Sequence, residues 1–148
     1  MAISYGAEAT SVPKGLTVLA GRFFFALIFL MSAPFHFTKD AIGYAAGQGV
    51  PFASLAVPAS GILALIGGLS ILLGYHVRIG AWLIVLFLVP VTFMMHNFWA
   101  VTDPGMAQIQ MTMFMKNIAL IGGALLISQF GAGPFSLDAR SGRTNESN

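Results

Sequence analysis

The sequence predicts an all-α integral membrane protein, a bundle of four transmembrane helices with both termini in the cytoplasm. Of its 148 residues, 57% are hydrophobic and only 8% are charged, whereas about a quarter of the residues of a soluble domain are charged. Four stretches are long and apolar enough to cross a hydrocarbon layer of about 30 Å as helices. These features exclude a water-soluble globule, and the short chain predicts a single membrane domain over residues 1–148.

The four predicted spans are the stretches of about 20 predominantly apolar residues. They cover residues 16–35, 54–73, 79–98 and 109–128. None alternates polar and apolar residues as a membrane β-strand does, and each is about twice as long as such a strand. Because helices and closed barrels are the only structures that span a bilayer, helices are predicted.

The sequence also predicts the structure of two connecting segments and of the tail. The loop at residues 74–78 is so short that the second and third spans must be antiparallel neighbours. In the first loop, Thr38 and Asp40 can cap a short helical turn from Ala41 to Ala45, which then lies at the membrane surface. The chain after Phe130 shows no apolar period and is predicted to be a strap at the membrane interface that becomes disordered, with a flexible tail from about residue 134 to 148.

Small side chains mark the expected helix contacts. In lipid there is no hydrophobic driving force for helix association, so the close approach of two helices depends on small residues at helical spacing. Such residues are Ser60, Ala64 and Gly68 in the second span, and Ala119 and Gly123 in the fourth. We expect these two faces to pack against neighbouring helices.

The placement of cations predicts the orientation. Four of them flank the side that holds both termini and the second loop: Lys14, Arg78, Arg140 and Arg143. Lys39 is the cation of the opposite loops. Since Lys and Arg concentrate in short cytoplasmic loops, both termini are predicted to be cytoplasmic.

Two further cations lie inside the predicted spans. Arg22 is about six residues from the cytoplasmic end, roughly 9 Å deep, and Lys116 is similarly placed from the outer end. Such residues either extend to the headgroups or face the bundle interior. At 100° per residue, Lys116 lies within about 20° of Gly123 on the expected packing face, which favours an inward ammonium.

No carboxylate occurs in any predicted span to pair with Arg22. Its partners must therefore be backbone carbonyls, hydroxyls, a lipid phosphate, a ligand carbonyl or another subunit.

Polar side chains, among them His96, Asn97 and Lys116, gather at the outer end of the predicted bundle. One interpretation is a belt of amphipathic side chains at the headgroup level, which is the common arrangement. A second is a polar pocket for a quinone or a similar carbonyl ligand. Bis-histidine haem or metal binding by His36 and His96 is disfavoured, because the two are not at paired spacing and no third ligand stands nearby.

Other functional classes lack their sequence features. No nucleophile elbow, phosphate-binding loop or carboxylate pair occurs, so no catalytic residue is predicted. The chain has no cysteine, and any electron chemistry would need a bound cofactor or a partner. The sparse positive charge does not fit a nucleic-acid surface.

Several segments together resemble the DoxX family of small four-helix membrane proteins. They are Gly21-Arg22-Phe23-Phe24, Gly49-Val50-Pro51, the run from Gly67 to Gly74, and Lys116 to Gly123 with its Lys-Asn start and paired glycines. Family sequences often carry an acidic residue ahead of the paired glycines of the second span. Here that position is within Ala64-Leu65-Ile66, so Arg22 lacks the ion partner that the resemblance implies.

The resemblance implies quinone-linked oxidation, because relatives form the membrane subunit of an archaeal thiosulfate:quinone oxidoreductase. We therefore expect an accessory or anchoring subunit in the cytoplasmic membrane of a bacterium or archaeon, in contact with lipid and with other membrane or periplasmic redox subunits. The cofactor-binding candidates are Arg22, His96, Asn97 and Lys116, with quinone as the ligand and no intrinsic cofactor or metal. The alternative is a purely structural or assembly subunit. A proton-coupled exporter is disfavoured, since it needs a carboxylate in the membrane.

Overall fold

Six α-helices make up most of the chain in the computed structural model, which describes residues 5–145 and the side chains of residues 12–142. They are α1 Tyr5–Ser32, α2 Lys39–Gly47, α3 Ala53–Leu73, α4 Val77–Met95, α5 Pro104–Phe130 and α6 Leu137–Asn145. A short 3-10 helix, Ala33–Phe37, follows α1, and another, Phe98–Ala100, follows α4.

Four of these helices, α1, α3, α4 and α5, are long and apolar enough to cross a membrane. Large apolar side chains such as Phe24, Leu86 and Leu126 point outward, which suits a lipid environment. The predicted all-α, four-helix membrane fold is therefore confirmed. The cytoplasmic placement of the termini remains a prediction.

The helices are arranged so that α3 packs against α1 and α4, and α4 packs against α5. By contrast, α1 and α5 touch at few points in the described part of the chain. We call the boundary between these two helices the α1–α5 seam. The end of the bundle that carries α2 is called the α2 end, and the end that carries the α3–α4 loop and α6 is called the α6 end.

Glycines on α3 bring the helices together. A Cβ atom at Gly67 would lie 2.8 Å from the side chain of Ile84 on α4, and one at Gly68 would lie 3.1 Å from the side chain of Leu30 on α1. Ala64 is fully buried on the same helix. The small-residue face predicted for the second span is confirmed, and α3 is the central helix of the bundle.

The predicted contact face of the fourth span is only partly right. Gly123 of α5 packs against the Phe25 ring of α1, where a Cβ would lie 2.9 Å away. Ala119 is exposed, however, and the buried residues of α5 are Asn117 and Ala124. At about 100° per residue, Ala124 lies about 100° from Gly123 and Asn117 about 160° from Ala119, so the inner face of α5, which packs mainly against α4, is turned away from the face that the small residues indicated.

The capped turn predicted in the first loop is present as α2. The Ala41 N–H donates to Thr38 Oγ1 at 3.2 Å, which is the expected N-cap. Ala45 of α2 packs with Ala53 and Val57 in a small cluster with α3, so that α2 lies over the end of the bundle.

The chain after α5 is packed, although a flexible tail was predicted from about residue 134. Gly133 lies against Val18, where a Cβ would be 2.9 Å from its side chain, and Pro134 and Phe135 lie against Gly15. Helix α6 follows. The segment is held because it supplies a buried polar group of α1 with its hydrogen-bond acceptor, as described below. Residues 146–148 of the predicted tail lie outside the described residues.

Candidate functional site

A cavity of about 480 Å³ lies inside the α2 half of the bundle, between α1, α2, α3, α4 and α5. Its volume is typical of small-molecule sites, which measure about 300–1,000 Å³. Most lining side chains are apolar. The polar ones include Ser32, His36, Ser60, His96, Lys116 and Asn117.

Asn117 is the most deeply buried of these polar residues, with 3% of its surface exposed. Its Nδ2 amide has no hydrogen-bond partner within the described residues. An unpaired buried donor costs about 1–3 kcal/mol. Asn117 is therefore a cavity-lining residue with an unpaired buried donor.

The two serine hydroxyls beside the cavity already have partners. Ser60 Oγ donates to the Val57 carbonyl at 2.7 Å, and Ser32 Oγ donates to the Phe29 carbonyl at 3.2 Å. Both acceptors belong to the residue's own helix. Both serines donate to backbone, whereas the Asn117 amide has no partner among the described residues.

Two histidines line the cavity, and one ring nitrogen of each makes a hydrogen bond. His36 Nδ1 donates to the Ser32 carbonyl at 3.0 Å, because a carbonyl can only accept. His96 Nδ1 lies 2.8 Å from Gln110 Oε1, which likewise accepts. In each neutral ring Nε2 is then left as an acceptor. The His36 ring also makes an edge contact with Phe87 at a centroid distance of 5.5 Å.

Lys116 lies at the rim of the cavity rather than inside it. The residue is exposed, and its Nζ contacts Met113 Sδ at 3.5 Å. The sequence placed it among the helices, whereas the buried position is that of the next residue, Asn117. This difference follows from the rotation of α5 described above.

The other two sequence-predicted site residues do not line the cavity. Asn97 follows His96 and is half-buried, and its carbonyl accepts from the Ala100 N–H at 2.9 Å. Arg22 lies in the α6 half of the bundle, where its guanidinium contacts the tail. The structure thus brings His96 and Lys116 to one cavity and leaves Arg22 and Asn97 outside it.

Arg22 belongs to a separate contact between α1, the α3–α4 loop and the tail. It is 3% exposed, and its Nη2 donates to the Phe135 carbonyl. Its Nε and Nη1 have no hydrogen-bond partner in the described part of the chain. The guanidinium occupies the space that the Cβ atom of a larger residue at position 74 would take. Among the alternatives raised by the sequence, the partner of Arg22 is thus a backbone carbonyl.

Asp138 attaches the tail to the α3–α4 loop. Its carboxylate accepts from the backbone N–H groups of His76 at 2.8 Å and Val77 at 3.1 Å, which caps α4. The Asp138 N–H donates to the Gly74 carbonyl at 2.9 Å. Its negative charge also acts on Arg22. We call Arg22, Gly74, Phe135 and Asp138 the tail clamp.

The described residues contain no group of three or more His, Asp or Glu side chains that could hold a metal ion. Two polar features of the described residues remain as candidate sites, the cavity and the tail clamp.

Comparisons with known proteins identify the family. No curated protein and no solved structure matches the chain significantly. The DoxX family profile matches residues 17–97, more than half of the 148 residues. This range includes Arg22, Gly74 and His96 and ends before α5. The chain therefore belongs to the DoxX family and is a multi-pass membrane protein.

Proposed function

We propose that this DoxX protein is an accessory subunit of a quinone-linked redox complex and holds a quinone headgroup in its cavity. The unpaired Nδ2 amide of Asn117 is the observation that carries this proposal. A quinone headgroup is a flat apolar ring whose carbonyl oxygens accept hydrogen bonds. It therefore matches an apolar cavity with one unpaired buried donor.

The remaining lining residues fit the same ligand. Phe29 and Phe87 supply aromatic walls, and the Lys116 ammonium at the rim is a second donor. His36 and His96 are oriented through Nδ1, so Nε2 of either ring is a group that can accept a proton. A bound quinone would supply a carrier of two electrons and two protons. The residues of the chain would hold and orient it, and the partner subunits would exchange the electrons.

Replacement of Asn117 by leucine tests the proposal. Asn117→Leu removes the amide donor and keeps a side chain of similar size. We expect the Kd for decylubiquinone to rise about 3- to 10-fold, because a neutral hydrogen bond contributes about 0.5–1.5 kcal/mol. The measurement is titration of the purified protein in lipid nanodiscs.

Ligand-free stability gives a second readout of the same variant. The substitution removes an unpaired buried donor, so we expect the variant without quinone to unfold at a higher temperature than the wild type. Asn97→Leu is the matched control, since Asn97 lies outside the cavity, and its Kd should stay within twofold of the wild type. An unchanged Kd for Asn117→Leu would contradict the proposal.

The alternative, a structural or assembly subunit without a cofactor, has support in the exposure of α5. Of the described residues of this helix, only Asn117 and Ala124 are buried. Such a helix can offer its free surface to another subunit instead of lipid. This alternative predicts a larger complex that contains no quinone at the chain's cavity and a purified chain that does not bind decylubiquinone. Native mass spectrometry of the complex in mild detergent separates the two functions.

A further inference from the structure

We infer that the ligand reaches the cavity sideways, from the hydrocarbon layer through the α1–α5 seam, and that it is an amphiphile whose apolar tail stays in this seam. The inference rests on the proposed function, since it names the access route and ligand class of the same cavity.

The seam is the weakly packed boundary of the bundle. The other neighbouring helix pairs, α1 with α3, α3 with α4, and α4 with α5, are in extensive contact. Across the seam, the Phe25 ring covers Gly123. Since α1 and α5 are antiparallel and have the same rise, this contact places Ile28 level with Leu120 and Ser32 level with Lys116. These four residues line the cavity on the α2 side of Phe25.

Each helix of the seam carries a cavity-lining side chain that is also exposed. Ile28 on α1 is 36% exposed, and Lys116 on α5 is exposed as well. Their neighbours Phe29 and Asn117 are buried and also line the cavity. On each helix of the seam an exposed lining residue therefore lies next to a buried one, with Lys116 at the outside and Asn117 at the inside.

At its water-facing end the cavity is bordered by α2 and the loop that follows it. Ala41 and Ala45 of α2, together with Val50 and Pro51 after it, line the cavity from this end. Ala45 is buried against α3 together with Val57. A ligand from the aqueous phase would have to pass α2 and this loop, whereas a ligand dissolved in the bilayer meets the seam directly.

The chemistry of the route defines the ligand. A headgroup with an acceptor oxygen passes the Lys116 ammonium and reaches Asn117, while the Ile28 and Leu120 side chains contact an apolar chain behind it. A tailed quinone satisfies both requirements. A small water-soluble carbonyl compound satisfies only the first.

Cross-linking of the seam tests the route. The chain has no cysteine, so the double variant Ile28→Cys/Leu120→Cys reacts only at these positions with a short bis-methanethiosulfonate reagent. We expect the cross-link to slow the association of decylubiquinone at least tenfold in nanodiscs, and reduction of the cross-link to restore the rate. The control is Leu30→Cys/Gly68→Cys, which links α1 to α3 on the packed side, and whose cross-link should leave the rate unchanged.

The outcomes separate the route from the proposed function. If the cross-linked seam variant binds at the rate of its reduced form, the lateral route is wrong, although quinone binding stands. If the same benzoquinone ring without a tail binds as tightly as decylubiquinone, the tail assignment is wrong. If neither the wild type nor the reduced variant binds decylubiquinone, both proposals fail.

Substitutions that leave the chain without cross-links provide an independent check. Ile28→Trp places a bulky side chain at the opening and should slow association. Phe24→Trp, four residues away on the lipid-facing surface of the same helix, should not. Equal rates for the two tryptophan variants and the wild type would overturn the route.

Discussion

Two buried polar residues of equal exposure have different surroundings in this protein. Arg22 and Asn117 are each 3% exposed within a transmembrane helix. Arg22 donates to a carbonyl of the chain's own tail and lies near the negative charge of Asp138. Asn117 has an amide without a partner beside an open cavity. Arg22 therefore has one guanidinium nitrogen paired within the chain and two unpaired ones among the described residues, whereas the Asn117 amide lies beside a cavity, and a ligand there is the explanation that we propose for its missing partner.

Removal of the Arg22 guanidinium should release the tail without affecting the cavity. Arg22→Met loses a hydrogen bond from a charged donor, which contributes about 1.5–3 kcal/mol. We expect the backbone amides of residues 131–138 to exchange with solvent at least tenfold faster, as measured by hydrogen–deuterium exchange mass spectrometry. The Kd for decylubiquinone should stay within twofold of the wild type.

Arg78→Met is the control for this variant, because Arg78 is an exposed cation at the same end of the bundle. It should leave exchange in the tail unchanged. Unaltered protection in Arg22→Met would show that the hydrogen bond to Phe135 does not hold the tail.

At the scale of elements, α2 and α3 end in the same backbone motif but in different surroundings. In α2 the Gly49 N–H donates to the Ala46 carbonyl and the Val50 N–H to the Ala45 carbonyl, and the corresponding bonds of α3 start at Gly74 and Tyr75. Both are Schellman motifs with a glycine at positive φ, +80° at Gly49 and +66° at Gly74. The space around Gly49 is open, whereas Gly74 lies against the tail clamp.

The two glycines therefore form a matched pair for a stability measurement. Alanine at either position adds the strain of a left-handed conformation, about 1–2 kcal/mol. At Gly74 the new methyl group also meets the Arg22 guanidinium and lies 2.5 Å from Ser136 Cβ, and such overpacking costs a further ~1–3 kcal/mol. We expect Gly74→Ala to lower the midpoint of thermal unfolding more than Gly49→Ala. Equal shifts would contradict the close packing of the tail clamp.

At the scale of the whole molecule, the even number of spans places both ends of the described chain on one side of the membrane. The contacts of Asp138 with His76 and Val77 put the α3–α4 loop on that side too. Arg78 and Arg140 are exposed there. The charge distribution predicts that this side is cytoplasmic, and the cavity then lies in the half of the bundle that is farther from the cytoplasm.

Single cysteines in this cysteine-free chain test the orientation. Gly43 in α2 and Gly142 in α6 both have open space around them. In intact cells, a membrane-impermeant maleimide should label Gly43→Cys, and it should label Gly142→Cys only after permeabilisation. The reverse pattern would show that the termini face away from the cytoplasm.

The class of protein, the four spans and α2 could all be predicted from the sequence. The length of an apolar segment decides whether it can cross a bilayer, and a helix makes its backbone hydrogen bonds within the segment. Membrane insertion and helix formation are therefore local properties. The N-cap at Thr38 and the spacing of the small residues on α3 could also be predicted, because both depend on residues close together in the sequence. His96 and Lys116 could be identified as polar residues at one depth, because depth follows from position along a span.

Only the tertiary structure decided which side chains meet. The Phe135 acceptor of Arg22 is 113 positions away in the chain, and no short-range pattern predicts such a contact. Asn117, and not the predicted Lys116, faces inward, because the packing of α5 against α4 sets the rotation of the helix. One position along a helix changes the direction of a side chain by about 100°. The cavity and its seam arise from the spacing between helices, which depends on all of their contacts together.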